Sequence, residues 1–234
     1  MKLEFTTTAC VRPELLDETY TSLNKVLVDV DLKTEGILYI NIDPVPTESE
    51  SKINEELEIA RDHFSEVHYN IGPSGGNFPT AYSWVLSKPT GEYFFNVEDD
   101  WLFETGEICI AEYINKIKHD TRDNILQCVA HPYKRGKRKI KNRAYLPPSL
   151  FQTSVLATIL DKHPIPEDQD PEWWLIQLKR SMKLVNYNVV SCRGVKVIDM
   201  GTAWKEQMGL IKNEINRGEF TKYREENHRE KRSV

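Results

Sequence analysis

No stretch of the 234-residue chain approaches the roughly 18 consecutive apolar residues that a membrane-spanning helix requires. The opening Met1-Lys2-Leu3-Glu4 lacks the basic segment and apolar run of a secretory leader. Cysteine is scarce and scattered, at Cys10, Cys109, Cys128 and Cys192, which excludes a disulfide scaffold and offers no pair at zinc-ligand spacing. The six histidines contain no HExxH. Nor is there an excess of positive charge: 31 Lys and Arg against 36 Asp and Glu leave a net charge of −5, so the chain as a whole does not coat nucleic acid. With 39% hydrophobic residues, 12 Pro and 11 Gly, collagen-like, low-complexity and wholly disordered classes are excluded too. What remains is a chain long enough to bury a sizeable core. Without internal repeats or a clean linker, it is expected to be one soluble, cytoplasmic domain.

The hydrophobic pattern alternates between strand and helix. Residues 3–9 (LEFTTTA) read as a strand stopped by Arg12-Pro13. Pro13 suits the first turn of a helix, and Leu15, Leu16, Tyr20, Leu23, Val26 and Leu27 recur at helical spacing. Residues 36–42 (GILYINI) are apolar enough for a strand buried on both faces. A polar helix is expected over 48–64, a strand over 67–71, a Gly-rich loop over 72–77 and a helix over 78–86. A buried strand follows over 93–97, then a helix over 105–118 with Thr105 as its N-cap. Further on, 173–182 reads as a helix, 185–190 and 195–198 as strands, and the chain from Lys205 as helix ending in a frayed charged tail. This order predicts an α/β fold with a largely parallel sheet. Ligands of such sheets bind beyond the carboxyl ends of the strands. Residues 8–12, Asp43, 72–77 and 98–100 all fall at such ends, so four clusters distant in sequence converge on one edge.

The chemistry concentrates at Glu98-Asp99-Asp100, directly after the apolar strand. Three successive carboxylates repel one another, and a divalent cation relieves that repulsion. Mg²⁺ and Mn²⁺ prefer oxygen ligands and bridge to substrate phosphates. The plain alternative is an acidic turn capping the next helix.

Taken in order, these segments resemble a GT-A glycosyltransferase of the family 2 group. The likeness covers about residues 3–105. It runs through Thr6-Thr7-Thr8-Ala9-Cys10-Val11-Arg12-Pro13-Glu14-Leu15-Leu16, Asp43 after GILYINI, Gly75-Gly76-Asn77 to Gly91-Glu92-Tyr93, and Glu98-Asp99-Asp100 in place of the DxD signature. The resemblance implies the GT-A architecture, a mixed but mostly parallel central sheet flanked by helices, and a nucleotide-sugar donor. It implies Asp100 as the main ligand of Mn²⁺ or Mg²⁺, with Glu98 or Asp99 near the ribose or sugar. Thr8, Arg12, Gly76 and Asn77 would line the donor pocket, with Asp43 near the base. It divides the chain into a donor half (1–105), an acceptor half (106–222) and a charged tail (223–234).

An inverting enzyme of this kind needs a carboxylate to accept the acceptor hydroxyl's proton. The second acidic cluster, residues 167–172, precedes Trp173-Trp174-Leu175. Alignment on the Trp pair selects Asp170 as base; alignment on the Glu-Asp pair selects Asp168. Gln169 stands where the family usually carries Glu. An N-terminal cap on the Trp helix is the plain reading. Trp173 and Trp174 are expected either against an acceptor or in the core. Asp199, in the late strand-turn 197–201, stands where the family often adds a metal ligand.

Seven of the eleven residues 133–143 are basic, in an otherwise acidic chain. Lys134, Arg135, Lys137, Arg138 and Lys139 form the centre of this run. Such a run is either solvated or meets an anion: nucleic-acid phosphates, anionic lipid or the donor diphosphate. Two acceptors follow: a hydroxymethylated base in DNA, as for viral DNA-modifying enzymes of the host cytoplasm, or a saccharide in envelope or lipid-linked glycan synthesis. A nucleotidyltransferase shares the sheet and acidic site, but would carry a Gly-rich basic loop after the first strand, and residues 8–13 contain no glycine. A non-catalytic nucleic-acid-binding module would leave both acidic clusters unused.

Overall fold

The computed structural model describes residues 2–121, 125–130, 134–135, 138–139, 148–180, 188–191, 195–201 and 204. The first half alternates as β1 (Leu3–Cys10), α1 (Pro13–Val26), α2 (Leu32–Glu35), β2 (Gly36–Asp43), α3 (Glu50–His63), β3 (Glu66–Ile71), α4 (Phe78–Leu86) and β4 (Tyr93–Asn96). Then come β5 (Trp101–Thr105), α5 (Ile110–Lys118), β6 (Ile125–Val129), β7 (Lys134–Arg135) and β8 (Arg138–Lys139). The chain continues through β9 (Ser149–Gln152), α6 (Thr153–Lys162), α7 (Pro171–Arg180), β10 (Asn188–Ser191) and β11 (Lys196–Asp199).

The central sheet has seven strands in the order β10-β6-β9-β4-β1-β2-β3. All neighbours run parallel except β9, which is antiparallel to both β4 and β6. Adjacent residues of a strand face opposite sides of the sheet. Phe95 accordingly packs with Tyr20 and Leu57 of α1 and α3, while Phe94 packs with Tyr82, Leu156 and Trp174 of α4, α6 and α7. The sheet is thus covered on both faces, which is why its strands read as apolar runs.

The amino edge of the sheet is fixed by one buried carboxylate. Glu4, 7% exposed, accepts hydrogen bonds from the Thr90 N–H (2.8 Å), the Gly91 N–H (2.7 Å), the Thr90 hydroxyl (3.1 Å) and the Tyr39 hydroxyl (3.2 Å). A Cβ on Gly91 would lie 3.0 Å from Glu4 Oε2. The glycine before Glu92-Tyr93 therefore lets the turn close on Glu4.

The expected helix over 105–118 is corrected. Residues 101–105 form β5, which pairs antiparallel with β11, and the helix begins only at Ile110. Gly106, at φ 103°, turns the chain between them. Asp29 caps α5 in place of Thr105, its two oxygens accepting from the Ile110 and Ala111 N–H groups at 2.8 Å each. Both the strand partner and the cap come from far along the chain, beyond any local signal. Residues 150–160, apolar and mixed in pattern, fall in a strand (Ser149–Gln152) and a helix (Thr153–Lys162). The helix expected beyond Lys205 and the charged tail lie outside the described residues.

Candidate functional site

The carboxyl edge of β1, β2 and β4 gathers the predicted clusters. Arg12 is buried at 4% exposure and clasps Asp99, itself 3% exposed. Its Nη2 reaches Asp99 Oδ1 at 2.6 Å and Oδ2 at 2.7 Å, and its Nε reaches Oδ2 at 3.1 Å. The Cys10 N–H donates to the same carboxylate at 3.1 Å, and the Thr19 hydroxyl donates to the Asp99 carbonyl at 2.8 Å. Asp99 therefore braces β1 against the end of β4; it faces Arg12 rather than the donor contact the sequence suggested. Burial works against the Arg12 charge, but Asp99 foremost among its neighbours outweighs it, and the guanidinium pKa stands above its ordinary value. The planar fork is what a bidentate contact needs, and lysine cannot supply it.

Asp100 lies on the other side of this brace. Its carboxylate, 16% exposed, approaches Arg12 Nη2 at 3.3 Å. Its carbonyl accepts the Met200 N–H at 2.8 Å, so the β5–β11 ladder draws residues 199–201 alongside. A Cβ on Gly201 would stand 2.1 Å from Asp100 Oδ2. Glycine at 201 is what leaves room for that carboxylate. Asp199 ends β11, exposed and in register with Trp101. Among the described residues, no three His, Cys, Asp or Glu side chains form a group that could hold a metal alone. Mg²⁺ and Mn²⁺ sites built on one or two carboxylates plus substrate phosphates and water need no such group. Asp100, partly exposed and left clear by Gly201, fits that donor set; a closed all-protein site does not fit.

Glu98 turns the other way. It accepts the Tyr82 hydroxyl at 2.5 Å and Trp101 Nε1 at 3.3 Å. Burial first, then Asp100, push its pKa up to about 8, with Glu172 at the start of α7 adding to the rise. Thr8 is buried, and its carbonyl accepts the Asp99 N–H at 3.3 Å.

Asp43, 2% exposed at the end of β2, holds the Gly-rich loop. Its Oδ2 accepts the Asn77 N–H at 3.1 Å, and Asn77 caps α4 by accepting the Thr80 N–H at 3.0 Å. Gly75 and Gly76 have φ of 78° and 70°, a region that side chains rarely enter, so the loop needs glycine at both.

The Trp helix divides its residues. Asp170 Oδ1 accepts the Trp173 N–H at 2.9 Å, which makes Asp170 the N-cap of α7. Asp168 is exposed in the preceding turn, and Trp173 is half-buried. Of the two alternatives, Trp174 takes the core: it is 3% exposed among Tyr82, Val85 and Leu178, because successive helix positions diverge by about 100° and only one of the pair can face outward. Of the basic run, Lys134 stands opposite Lys139 and Arg135 opposite Arg138 in the β7–β8 hairpin. Lys137 lies outside the described residues.

Several site residues carried no signal in the sequence. Trp204 lies under Arg12 (guanidinium carbon to ring centroid 5.4 Å) and donates Nε1 to Glu14 at 2.8 Å. Glu56, with no exposed surface, accepts the Arg12 N–H at 2.6 Å. Burial, then Asp99, push its carboxyl up to about 9. A carboxyl whose pKa rises on folding contributes stability that is fully present below about 4.5 and is lost as pH climbs through about 9. Glu56→Gln keeps the accepting oxygen and removes the titration. Melting temperatures from pH 5 to 9 should fall more steeply for the wild type than for this variant; parallel curves would show that Glu56 is ionised throughout.

No family model matches the sequence, and no curated protein matches it. Solved structures do. S. aureus TarS 1-349 in complex with UDP-GlcNAc superposes with a TM-score of 0.55 at 15% identity, covering 83% of this chain and 58% of that one. The chain thus spans less than two thirds of that TarS fragment. The mannosyltransferase PcManGT from Pyrobaculum calidifontis, in complex with GDP-Man and Mn²⁺, gives a TM-score of 0.52 at 11% identity over 82% of this chain and 55% of its own. The 4-diphosphocytidyl-2C-methyl-D-erythritol synthase from Anaerococcus prevotii gives 0.51 at 12% identity over 82% and 87%. At these identities the likeness is one of architecture, and with the strand order above it establishes that the chain has the GT-A fold, the α/β architecture it shares with that synthase.

Proposed function

We propose that the chain is a metal-dependent glycosyltransferase that moves a sugar from a nucleoside-diphosphate sugar to an acceptor hydroxyl with inversion. The observation that carries this reading is the convergence of Asp43 with the Gly75-Gly76-Asn77 loop, the Arg12–Asp99 brace and the partly exposed Asp100 on one carboxyl edge. In this reading residues 1–105 hold the donor and 106–222 the acceptor. Asp100, with Asp199 beside it, would hold Mn²⁺ or Mg²⁺, a cation that stabilises the charge left on a departing nucleoside diphosphate. Thr8, Glu98 and Asn77 line the donor side. A thermal-shift screen of nucleotide sugars with and without Mn²⁺ tests the donor class, because a bound ligand raises the melting temperature by mass action.

The acceptor hydroxyl must lose its proton as it attacks, and Asp170 or Asp168 is the base. Asp170→Asn should retain donor binding and lower transfer by about 10²-fold or more. Asp168→Asn is the comparison. Normal turnover by both would exclude a base in this segment.

The basic hairpin supports an anionic acceptor, DNA with hydroxymethylated pyrimidines foremost. Seven cations among residues 133–143 repel one another, and phosphates among them would relieve that cost. Lys137→Ala, Arg138→Ala and Lys139→Ala together should reduce the salt slope of DNA binding by about 2.7, three phosphates' worth. Salt-independent transfer to a neutral saccharide, unaffected by this triple variant, would select the glycan acceptor instead.

The length match to the cytidyl synthase favours a second reading, nucleotidyl transfer. Against it stands the glycine-free turn after β1, where Arg12 is buried in the brace rather than presented to a triphosphate.

A further inference from the structure

The central sheet ends on β3, which pairs with β2 in unbroken register from Glu66 to Ile71 and has no strand on its outer side among the described residues. Such an edge is a template for another strand, and it is normally blunted by lysine, proline, a bulge or a cover. Residues 66–71 (EVHYNI) contain no Lys, Arg or Pro. On one face the strand is tied to β2: His68 stacks on Tyr39 with ring centroids 5.0 Å apart, and Asn70 Nδ2 donates to Asn41 Oδ1 at 2.7 Å. On the other face Val67 packs against the core, whereas Tyr69 and Ile71 beyond it are 50% and 45% exposed. They are two of the four large hydrophobic side chains exposed among the described residues, so apolar surface concentrates on this edge. The Gly72 N–H donates to the Ile42 carbonyl at 2.8 Å, so the main chain at 72 faces β2. Main-chain groups alternate sides along a strand. Val67, Tyr69 and Ile71 therefore turn their N–H and C=O groups outward, and the apolar residues are the ones whose backbone is open to a partner.

We infer that β3 pairs antiparallel with β3 of a second copy of this chain, about a two-fold axis at Tyr69. Hydrogen-bonded positions in an antiparallel ladder recur every second residue, as the outward positions of β3 do. In this register Tyr69 exchanges both bonds with the partner's Tyr69, and Val67 with the partner's Ile71. Side chains directly opposite share a face, so apolar meets apolar there, while His68 meets the partner's Asn70 on the other face. Glu66 falls opposite the partner's Gly72, and no like charges oppose one another. A register centred on His68 would instead set Ile71 against the partner's Ser65. The match of the strand to its own reverse is what selects a second copy as the occupant, and an isologous contact of this kind closes at two. The carboxyl edges of the two sheets then point in opposite directions, which leaves both candidate sites open. The inference is independent of the chemistry proposed for them.

The experiment is sedimentation velocity of the full chain across a concentration series. An edge of six residues is small beside a standard interface, so the wild type should dimerise with a Kd of about 10–100 µM. Tyr69→Lys and Tyr69→Glu each remove the aromatic pair and set like charges opposite at the axis, so each alone should weaken the dimer about tenfold. An equimolar mixture of the two should recover to within about threefold of the wild type, because opposite charges then face each other. Ile71→Lys is a second variant and should weaken the dimer by a similar factor. Melting temperatures at low concentration should match the wild type for all three, since both positions are exposed. A wild type that stays monomeric overturns the inference and leaves the edge to a strand of another protein. A dimer that survives the charge variants unchanged lies on another face and overturns it too. So does a mixture no better than its components.

Discussion

Arg12→Ala is expected to destabilise the protein by about 3–5 kcal/mol, the cost of leaving a buried charge without its partner. Asp99 would keep the Cys10 N–H at 3.1 Å and lose the three guanidinium contacts that neutralise it. The Trp204 ring would also lose the cation it packs under. Arg12→Lys should fall between the two, since an ammonium restores charge but not the fork. The double variant Arg12→Met/Asp99→Leu should be more stable than Arg12→Ala, because an apolar pair removes both desolvated charges together. Urea unfolding of the four proteins decides this. A double variant no better than the single would mean that the pair contributes through packing rather than charge.

Asp100→Ala should behave in the opposite way: a folded protein with its melting temperature little changed, and Mn²⁺-dependent affinity for UDP reduced by at least about 100-fold. The contrast follows from position. Asp99 is buried within the brace, whereas Asp100 is partly exposed and has Gly201 in place of a side chain that would cover it. Gly201→Ala is the companion variant. Its methyl would need the space of the Asp100 carboxylate, so it should weaken Mn²⁺-dependent binding without removing any ligand. Full UDP affinity in Asp100→Ala would reduce the Glu98-Asp99-Asp100 run to an acidic turn.

Much of this arrangement was legible because β2 and β4 are buried on both faces and so read as near-continuous apolar runs, while β1 reads as a short segment of β-prone residues stopped by Arg12-Pro13. Their ends at Cys10, Asp43 and Asn96 then place the polar clusters on one edge without any knowledge of contacts. The loop after β3 announced itself by Gly75 and Gly76, whose positive φ angles require that residue. Partnership was not legible. Nothing local distinguishes Asp99 from Asp100, yet Asp99 is buried in a three-contact clasp and Asp100 is 16% exposed with one longer contact, because the Arg12 guanidinium, 87 residues away, turns its fork to the first. Trp101 to Thr105 looked like the approach to a helix because its strand partner, β11, comes more than 90 residues later. Trp173 and Trp174 are adjacent in sequence, and only helix geometry against α4 and the sheet shows which one belongs to the core. Trp204 joins the site from the far end of the described chain, through Glu14 and Arg12.

The central claim is that this edge breaks the bond between a sugar and a nucleoside diphosphate. The direct measurement is product identity with Mn²⁺ present. Wild type and Asp100→Ala are incubated with UDP-GlcNAc or GDP-Man beside hydroxymethylated DNA and a saccharide panel, and separately with nucleoside triphosphates and sugar 1-phosphates. The account predicts release of a nucleoside diphosphate from the nucleotide sugar, matched by sugar on an acceptor and lost in Asp100→Ala. Release of pyrophosphate from a triphosphate, with no nucleoside diphosphate from any nucleotide sugar, would contradict it.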